Sequence, residues 1–211
     1  MTTYQIDHLQ QDSSQAVWGP LQDDESFLLM GLIQISRIKR VLCFSSEGPG
    51  HSSILRTSVL RAMGEGGVLY TADRVPADQD GEGHKVVLKL PSEVIPEDVD
   101  NLPLGMVVFD YLNLEECSLA FHRLTNSGMI DVKTLLVIHN TNLHYWNLEE
   151  KGRSGVVHCP YAREMVNELA DNGYHVVNFG TSQADHSPDF PFRHGLTACQ
   201  KYRRLPYTGL F

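Results

Sequence analysis

Short apolar runs alternate regularly with segments of helical periodicity along this chain. Val41–Phe44 is an unbroken apolar run, and Val68–Thr71, Met106–Phe109 and Thr134–Ile138 are comparable runs farther on. Such runs are typical of strands that are buried on both faces. Because the segments between them have apolar residues three and four positions apart, the chain predicts an α/β fold with a mostly parallel sheet and helices on both faces.

Four helices are predicted before, between and after these runs. The first follows Pro20, with acidic residues in its first turn to complement the helix dipole and an apolar stripe formed by Phe27, Leu28, Leu32 and Ile35. The other three are predicted over Ser52–Met63, over Leu114–Leu124, and from Pro160 to a stop at Gly173.

The last part of the chain departs from this alternation. Tyr174–Phe179 and Leu196–Tyr202 are predicted as strands with no helix between them, which indicates an antiparallel pair. Lys85–Leu90 completes a set of seven strands. We expect one domain over residues 1–211, with a lead-in segment and helix over 1–36 and a Rossmann-like core over 37–211.

Charge and apolar patterning exclude several classes of protein. The 211 residues include 17 Lys and Arg against 26 Asp and Glu, a net charge of −9 that argues against bulk binding to nucleic acid or anionic lipid. No apolar run approaches the ~18 residues of a membrane span, and the first residues do not resemble a signal peptide. We therefore expect a cytoplasmic protein with reduced cysteines in its core.

The carboxyl ends of parallel strands predict where a ligand binds. In the loop after Val41–Phe44, two glycines allow close approach of the backbone to a ligand, and the following helix points N–H groups at it. The candidate ligand contacts in this segment are Ser45, Ser46, Glu47, Gly48, Gly50, His51 and Ser52. Asp73 ends the next strand, where a carboxylate can accept the hydroxyls of a ribose. The alternative interpretation of the glycine loop is a tight turn that needs small residues. The alternative for Asp73 is a solvated acid of a loop.

Polar residues also end the next two strands. Asp110, His139 and Asn140 could hold a divalent ion or orient a substrate hydroxyl, and His144 follows closely with two aromatic neighbours that could wall a flat substrate. In the alternative interpretation, Asp110, His139 and Asn140 are hydrogen-bonded loop residues, and the two aromatic residues belong to the core.

Taken in order, these segments resemble class I S-adenosylmethionine (SAM)-dependent methyltransferases. The resemblance is closest to small-molecule O-methyltransferases of the macrocin and catechol type. The segments that carry it are Val17–Leu21, Arg40–Ser52, Val68–Asp73, Val107–Asp110, Leu135–Asn142 and Arg193–Thr197. The resemblance implies a Rossmann-like seven-stranded sheet with an antiparallel last strand. It also implies that SAM is held by the Ser45–Ser52 segment, Asp73 and Asp110.

The resemblance further implies methyl transfer to the hydroxyl of a small acceptor. Asp110, His139 and His144 are then the candidate catalytic residues, and Asp110, His139 and Asn140 the candidate ligands of Mg²⁺. Membranes and nucleic acid are not expected as partners, and a homodimer is left open.

Departures from the family pattern keep other functions open. Cys43 and Phe44 replace the acid of the first motif, and Asn140 stands where the macrocin type has an aspartate. A catalytically degenerate binding or regulatory protein is therefore the main alternative. An RNA methyltransferase and a nicotinamide-dependent dehydrogenase are weaker ones.

Overall fold

The computed structural model describes residues 23–45, 51–72, 81–110, 114–139, 141, 146–147, 156–157, 160–179 and 195–201. The strands in these segments are β1 Arg40–Ser45, β2 Val68–Ala72, β3 His84–Val87, β4 Met106–Asp110, β5 Leu135–His139, β6 Trp146–Asn147, β7 Val156–Val157, β8 Tyr174–Phe179 and β9 Leu196–Lys201. The helices are α1 Asp23–Ile35, α2 His51–Met63, α3 Leu114–Asn126 and α4 Pro160–Asp171, with 3-10 helices at Pro91–Glu93 and Pro96–Val99.

Seven of these strands form one sheet in the order β3-β2-β1-β4-β5-β9-β8. Neighbours from β3 to β5 pair in parallel, whereas β9 pairs antiparallel with both β5 and β8. The last strand is therefore the reversed one, inserted between two strands that run the other way. This arrangement confirms the predicted fold class.

Alternate residues of each buried strand face opposite helical layers. One apolar core lies under α3 and α4 and contains Leu42, Phe44, Val107 and Ile138 of the sheet. The other lies under α1 and α2. It contains Val41, Cys43, Val108 and Val137 of the sheet. The prediction of helices on both faces is confirmed, and the short apolar runs read as buried strands because both of their faces are covered.

The buried face of helix α1 is shifted from the predicted stripe. Leu29 and Ile33 are fully buried, whereas Phe27 is 72% and Ile35 85% exposed. Of the predicted stripe, Leu28 and Leu32 are partly buried against the core, whereas Phe27 and Ile35 were wrong. Nearly every position of this helix after its first turn is apolar or neutral, so helical spacing alone did not select the face. The buried face repeats every four residues and begins at Glu25, which is also buried.

Other differences from the predicted elements are small. Strand β3 ends at Val87 instead of residue 90, because a bend and the 3-10 helix that begins at Pro91 follow it. The two-residue strands β6 and β7, which pair antiparallel, were not predicted. Among the described residues, no helix combines the length and apolar character that crossing a bilayer requires.

Candidate functional site

The strand order places a topological switch point between β1 and β4. From β1 the chain proceeds outward through β2 and β3, and it then returns to the other side of β1 with β4. In open α/β sheets the crevice at the carboxyl ends of these two strands is the usual ligand site. The register pairs Ser45 with Asp110 at those ends. Helix α2 begins at His51, on the segment that connects β1 to β2.

Asp110 and His139 lie on the same face of the sheet, toward α1 and α2. Each follows by two positions a strand residue, Val108 or Val137, that belongs to the core beneath those helices. Since side chains alternate along a strand, Asp110 and His139 continue these two rows at the carboxyl edge. His139 Nδ1 lies 2.9 Å from Asp110 Oδ1. The predicted neighbours are thus in direct contact.

A third residue, Glu25 of α1, completes a buried cluster that was not predicted. Its Oε2 lies 3.1 Å from His139 Nε2. Its Oε1 accepts a 2.8 Å hydrogen bond from the backbone N–H of Gly195, just before β9. All three ionisable side chains are at most 5% exposed. We call Glu25, His139 and Asp110 the Glu–His–Asp cluster.

The geometry of the Glu–His–Asp cluster fits a positively charged imidazole between two carboxylates. Carboxylate oxygens can only accept hydrogen bonds, so contacts at both ring nitrogens need a proton on each. Burial by itself lowers the pKa of His139, but the negative charges of Asp110 and Glu25 and their hydrogen bonds outweigh it and raise that pKa to about 10. The cluster therefore carries one cation between two anions.

A second polar contact near this edge of the sheet joins Thr197 of β9 to Thr141, which lies after β5. Thr197 donates a 2.8 Å hydrogen bond from its hydroxyl to that of Thr141, and both residues are buried. Arg163 of α4 donates through Nε to the Thr141 carbonyl at 3.1 Å. These bonds hold Thr141, two positions after the end of β5, against both β9 and α4.

Most of the residues predicted to contact the cofactor lie outside the described part of the chain. These are Ser46, Glu47, Gly48, Gly50 and Asp73. The same holds for Asn140 and His144. Ser45, His51 and Ser52 have described backbones only, at the end of β1 and the start of α2. The catalytic roles of Asp110, His139 and His144 stay predictions.

The structure does not support the Mg²⁺ site that the resemblance implied at Asp110, His139 and Asn140. Asp110 and His139 contact each other as an ion pair, and a protonated imidazole has no lone pair for a metal. Within the described segments, no group of three or more His, Cys, Asp or Glu side chains could hold a metal ion. A buried ion-pair cluster is present instead.

Glu25 was missed because it looked like a typical acid of a helix first turn. Its contact with His139 joins residues 114 positions apart, which no local motif reports. The available signal was periodicity, since Glu25, Leu29 and Ile33 are spaced four apart and define the buried face of α1. An acid on that face needs a buried partner.

Comparison with sequences adds nothing to this geometry. No family model matches the chain, and no curated protein matches it significantly.

Comparison with solved structures identifies the fold. The chain is similar to the O-methyltransferase TomG from Streptomyces achromogenes, involved in tomaymycin synthesis and solved with SAM (16% identity, 85% of this chain and 80% of that one, TM-score 0.54). It is similar to a Podospora anserina methyltransferase bound to S-adenosylhomocysteine (SAH) (9% identity, 85% of this chain and 78% of that one, TM-score 0.57). A Clostridium thermocellum structure described as an rRNA methylase also matches (12% identity, 84% of this chain and 95% of that one, TM-score 0.52). The chain thus has the fold of class I SAM-dependent methyltransferases.

Proposed function

We propose that this protein is a SAM-dependent methyltransferase that methylates a hydroxyl of a small acceptor. The observation that carries the proposal is the sheet order with only β9 reversed, which is the fold of proteins solved with SAM or SAH. A fold alone hosts many functions, so the residues at the switch point must also fit the cofactor and the reaction.

The residues around the switch point fit an adenosyl ligand. The segment of residues 46–50 joins β1 to α2, whose first N–H groups are available to a ligand at this edge. Because β1 and β2 are parallel and Phe44 pairs with Ala72, β2 ends at the same edge, and Asp73 is the next residue. We expect Asp73 to accept the ribose hydroxyls. Bound SAM supplies the methyl group on a sulfonium.

Methyl transfer needs alignment of the acceptor more than it needs proton transfer. A doubly protonated His139 has no free lone pair, so in this state it cannot take a proton from the acceptor. We infer that the Glu–His–Asp cluster is a positioning device, which holds α1 across the carboxyl ends of β4 and β5 at the mouth of the crevice. The net charge of −9 favours a small acceptor over RNA.

Calorimetric titration with SAM and SAH tests the cofactor. We expect binding of one molecule per chain, and we expect Asp73→Ala to weaken it at least tenfold. Asp171→Ala is the matched control, because that residue is exposed at the end of α4. Absence of heat and of a thermal shift with both ligands would overturn the proposal.

Transfer of an isotope-labelled methyl group from SAM tests the acceptor. A panel of catechols and other small hydroxylated compounds should yield labelled product, while a mixed RNA pool should not. Label in RNA alone would leave the methyltransferase assignment standing and refute the small acceptor.

A binding protein without turnover is the second candidate, and one observation favours it. Asp110 and His139 are 3% and 1% exposed, and Glu25 contacts His139 from the side of α1. In this arrangement neither side chain is open to an acceptor. SAM binding without formation of SAH across the whole panel is the outcome expected of this candidate, whereas any turnover excludes it.

A further inference from the structure

A cavity lies at the opposite end of the sheet from the Glu–His–Asp cluster. It has a volume of about 310 Å³ and lies at the turn between α1 and β1, beside the amino ends of β4 and β5 and the carboxyl end of β9. This volume is at the lower limit of pockets that hold small ligands. The cavity is therefore remote from the proposed methyl-transfer site.

The charged side chains that line this cavity are all basic. They are Arg37, Lys39, Arg40 and Lys133. No Asp or Glu is among the described residues of its wall, although the chain as a whole carries nine more acids than bases. Since like charges placed around one cavity repel each other, the arrangement favours an anion between them.

Two of these cations are already engaged, and two are available. Lys39 donates to the backbone carbonyls of Met63 and Glu65. Arg40 donates to Tyr70 and lies 4.0 Å from the carboxylate of Asp100. Within the part of the chain that the structure describes, the side chains of Arg37 and Lys133 have no hydrogen-bond or ion-pair partner, and both residues are exposed.

The backbone of Arg37 gives independent support. It has a φ of 52°, in the left-handed region where a side chain costs energy and glycine is usual. The bond from Ile38 N to Ile33 O closes the end of α1 around it, so Arg37 occupies the helix-end position at which glycine is preferred. A strained arginine that has no partner among the described residues, on the wall of a basic cavity, indicates a role for its guanidinium.

We propose that this cavity binds a small phosphorylated ligand through Arg37 and Lys133. A phosphate monoester carries nearly two negative charges at neutral pH, which matches the two available cations. Its oxygens suit the planar fork of the Arg37 guanidinium and the compact charge of the Lys133 ammonium. Gln200 adds a polar side chain to the wall.

Calorimetric titration of the full chain with pyrophosphate at low ionic strength tests this site. We expect one ion bound per chain, and binding at least tenfold weaker in Lys133→Gln. Arg37→Gly should weaken binding to the same extent while its melting temperature stays equal or rises, because glycine relieves the backbone strain. Arg123→Gln, an exposed arginine of α3, is the matched control and should bind like the wild type.

Three outcomes would overturn the proposal. The first is that no variant, including the wild type, binds pyrophosphate. The second is that all four proteins bind it equally, which would indicate diffuse attraction. The third is that a single-stranded RNA oligomer binds more tightly than pyrophosphate and depends on Arg37 and Lys133 in the same way. The cavity would then be part of a nucleic-acid surface.

Discussion

His139 shows how one buried residue can dominate the local energetics. It lies between two carboxylates and is not exposed. Removal of the imidazole would leave Asp110 and Glu25 as uncompensated charges in the same buried space. Breaking a buried ion pair typically costs about 3–5 kcal/mol, far more than breaking an exposed one.

We therefore expect His139→Gln to lower the free energy of unfolding by about 3–5 kcal/mol and the melting temperature by roughly 10 °C. The control is His122→Gln, because His122 also pairs with a glutamate, Glu168, but is 54% exposed. That change should cost under about 1 kcal/mol. Urea unfolding of both variants measures the difference, and similar values for the two would contradict the buried-charge account.

The same residue predicts a dependence of stability on pH. The pKa of His139 is about 10 in the folded state against an ordinary value of 6.5, so the folded state binds the proton more tightly. The stabilisation of the folded state that follows from this proton binding is fully present below pH 6.5 and is lost as pH rises toward 10. Wild-type stability should fall over this window, and His139→Gln should lack that component. Parallel slopes for the two proteins in urea unfolding at several pH values would refute the prediction.

At the scale of elements, Glu25 fastens α1 to the edge of the sheet. Its two oxygens bind His139 at the end of β5 and the N–H of Gly195 before β9. Leu29 and Ile33 pack beneath the same helix, so α1 has both an apolar and a polar attachment.

Glu25→Gln should loosen α1 without unfolding the sheet. The amide keeps the size of the side chain but offers one acceptor oxygen to two N–H donors. We expect backbone amides of α1 to exchange with deuterium about tenfold faster, since loss of about 1.4 kcal/mol corresponds to that factor. Gln34→Ala, at an exposed position of the same helix, should leave the exchange unchanged. Equal rates in Glu25→Gln and wild type would show that apolar packing alone holds α1.

The turn before β3 offers a test of backbone geometry. Gly83 has a φ of +70°, and an added Cβ would lie 3.0 Å from the carbonyl oxygen of Gly67. Gly128 has a φ of +77°, but an added Cβ would meet nothing within 4 Å. Alanine at either position lowers the free energy of unfolding by about 1–2 kcal/mol, because a side chain at positive φ is strained. At Gly83 the contact with the backbone oxygen adds to this cost. Gly83→Ala should thus unfold at lower urea than Gly128→Ala, and the reverse order would contradict the contact.

At the scale of the whole molecule, the sequence was a good guide to the sheet and a poor one to the site. The runs at β1, β4 and β5 are buried on both faces, so composition alone marks them. The reversed strand β9 was predictable because the sequence between it and β8 has no helical pattern. The contacts of Glu25 were not predictable, since its partners are distant in sequence and only the packing of α1 decides which face turns inward. The basic cavity was equally hidden, because it gathers residues from strands and turns that are distant in sequence.

Three buried cysteines report whether the two helical layers unfold together. Cys43 lies in the core under α1 and α2, whereas Cys117 and Cys199 lie in the core under α3 and α4. Burial raises the pKa of the Cys117 thiol and raises that of Cys199 to about 12, so neither forms the reactive thiolate while it is folded. In a Cys159→Ser background, alkylation of all three thiols should therefore require opening of the core.

Because β1, β2, β4, β5 and β9 each contribute buried residues to both cores, we expect one cooperative transition. Mass spectrometry of alkylated peptides after pulses at increasing urea should give the same midpoint for the three cysteines, and it should coincide with the loss of helical circular dichroism. A lower midpoint for Cys43 alone would mean that α1 and α2 detach first, and that the layer covering the Glu–His–Asp cluster opens separately from the rest of the molecule.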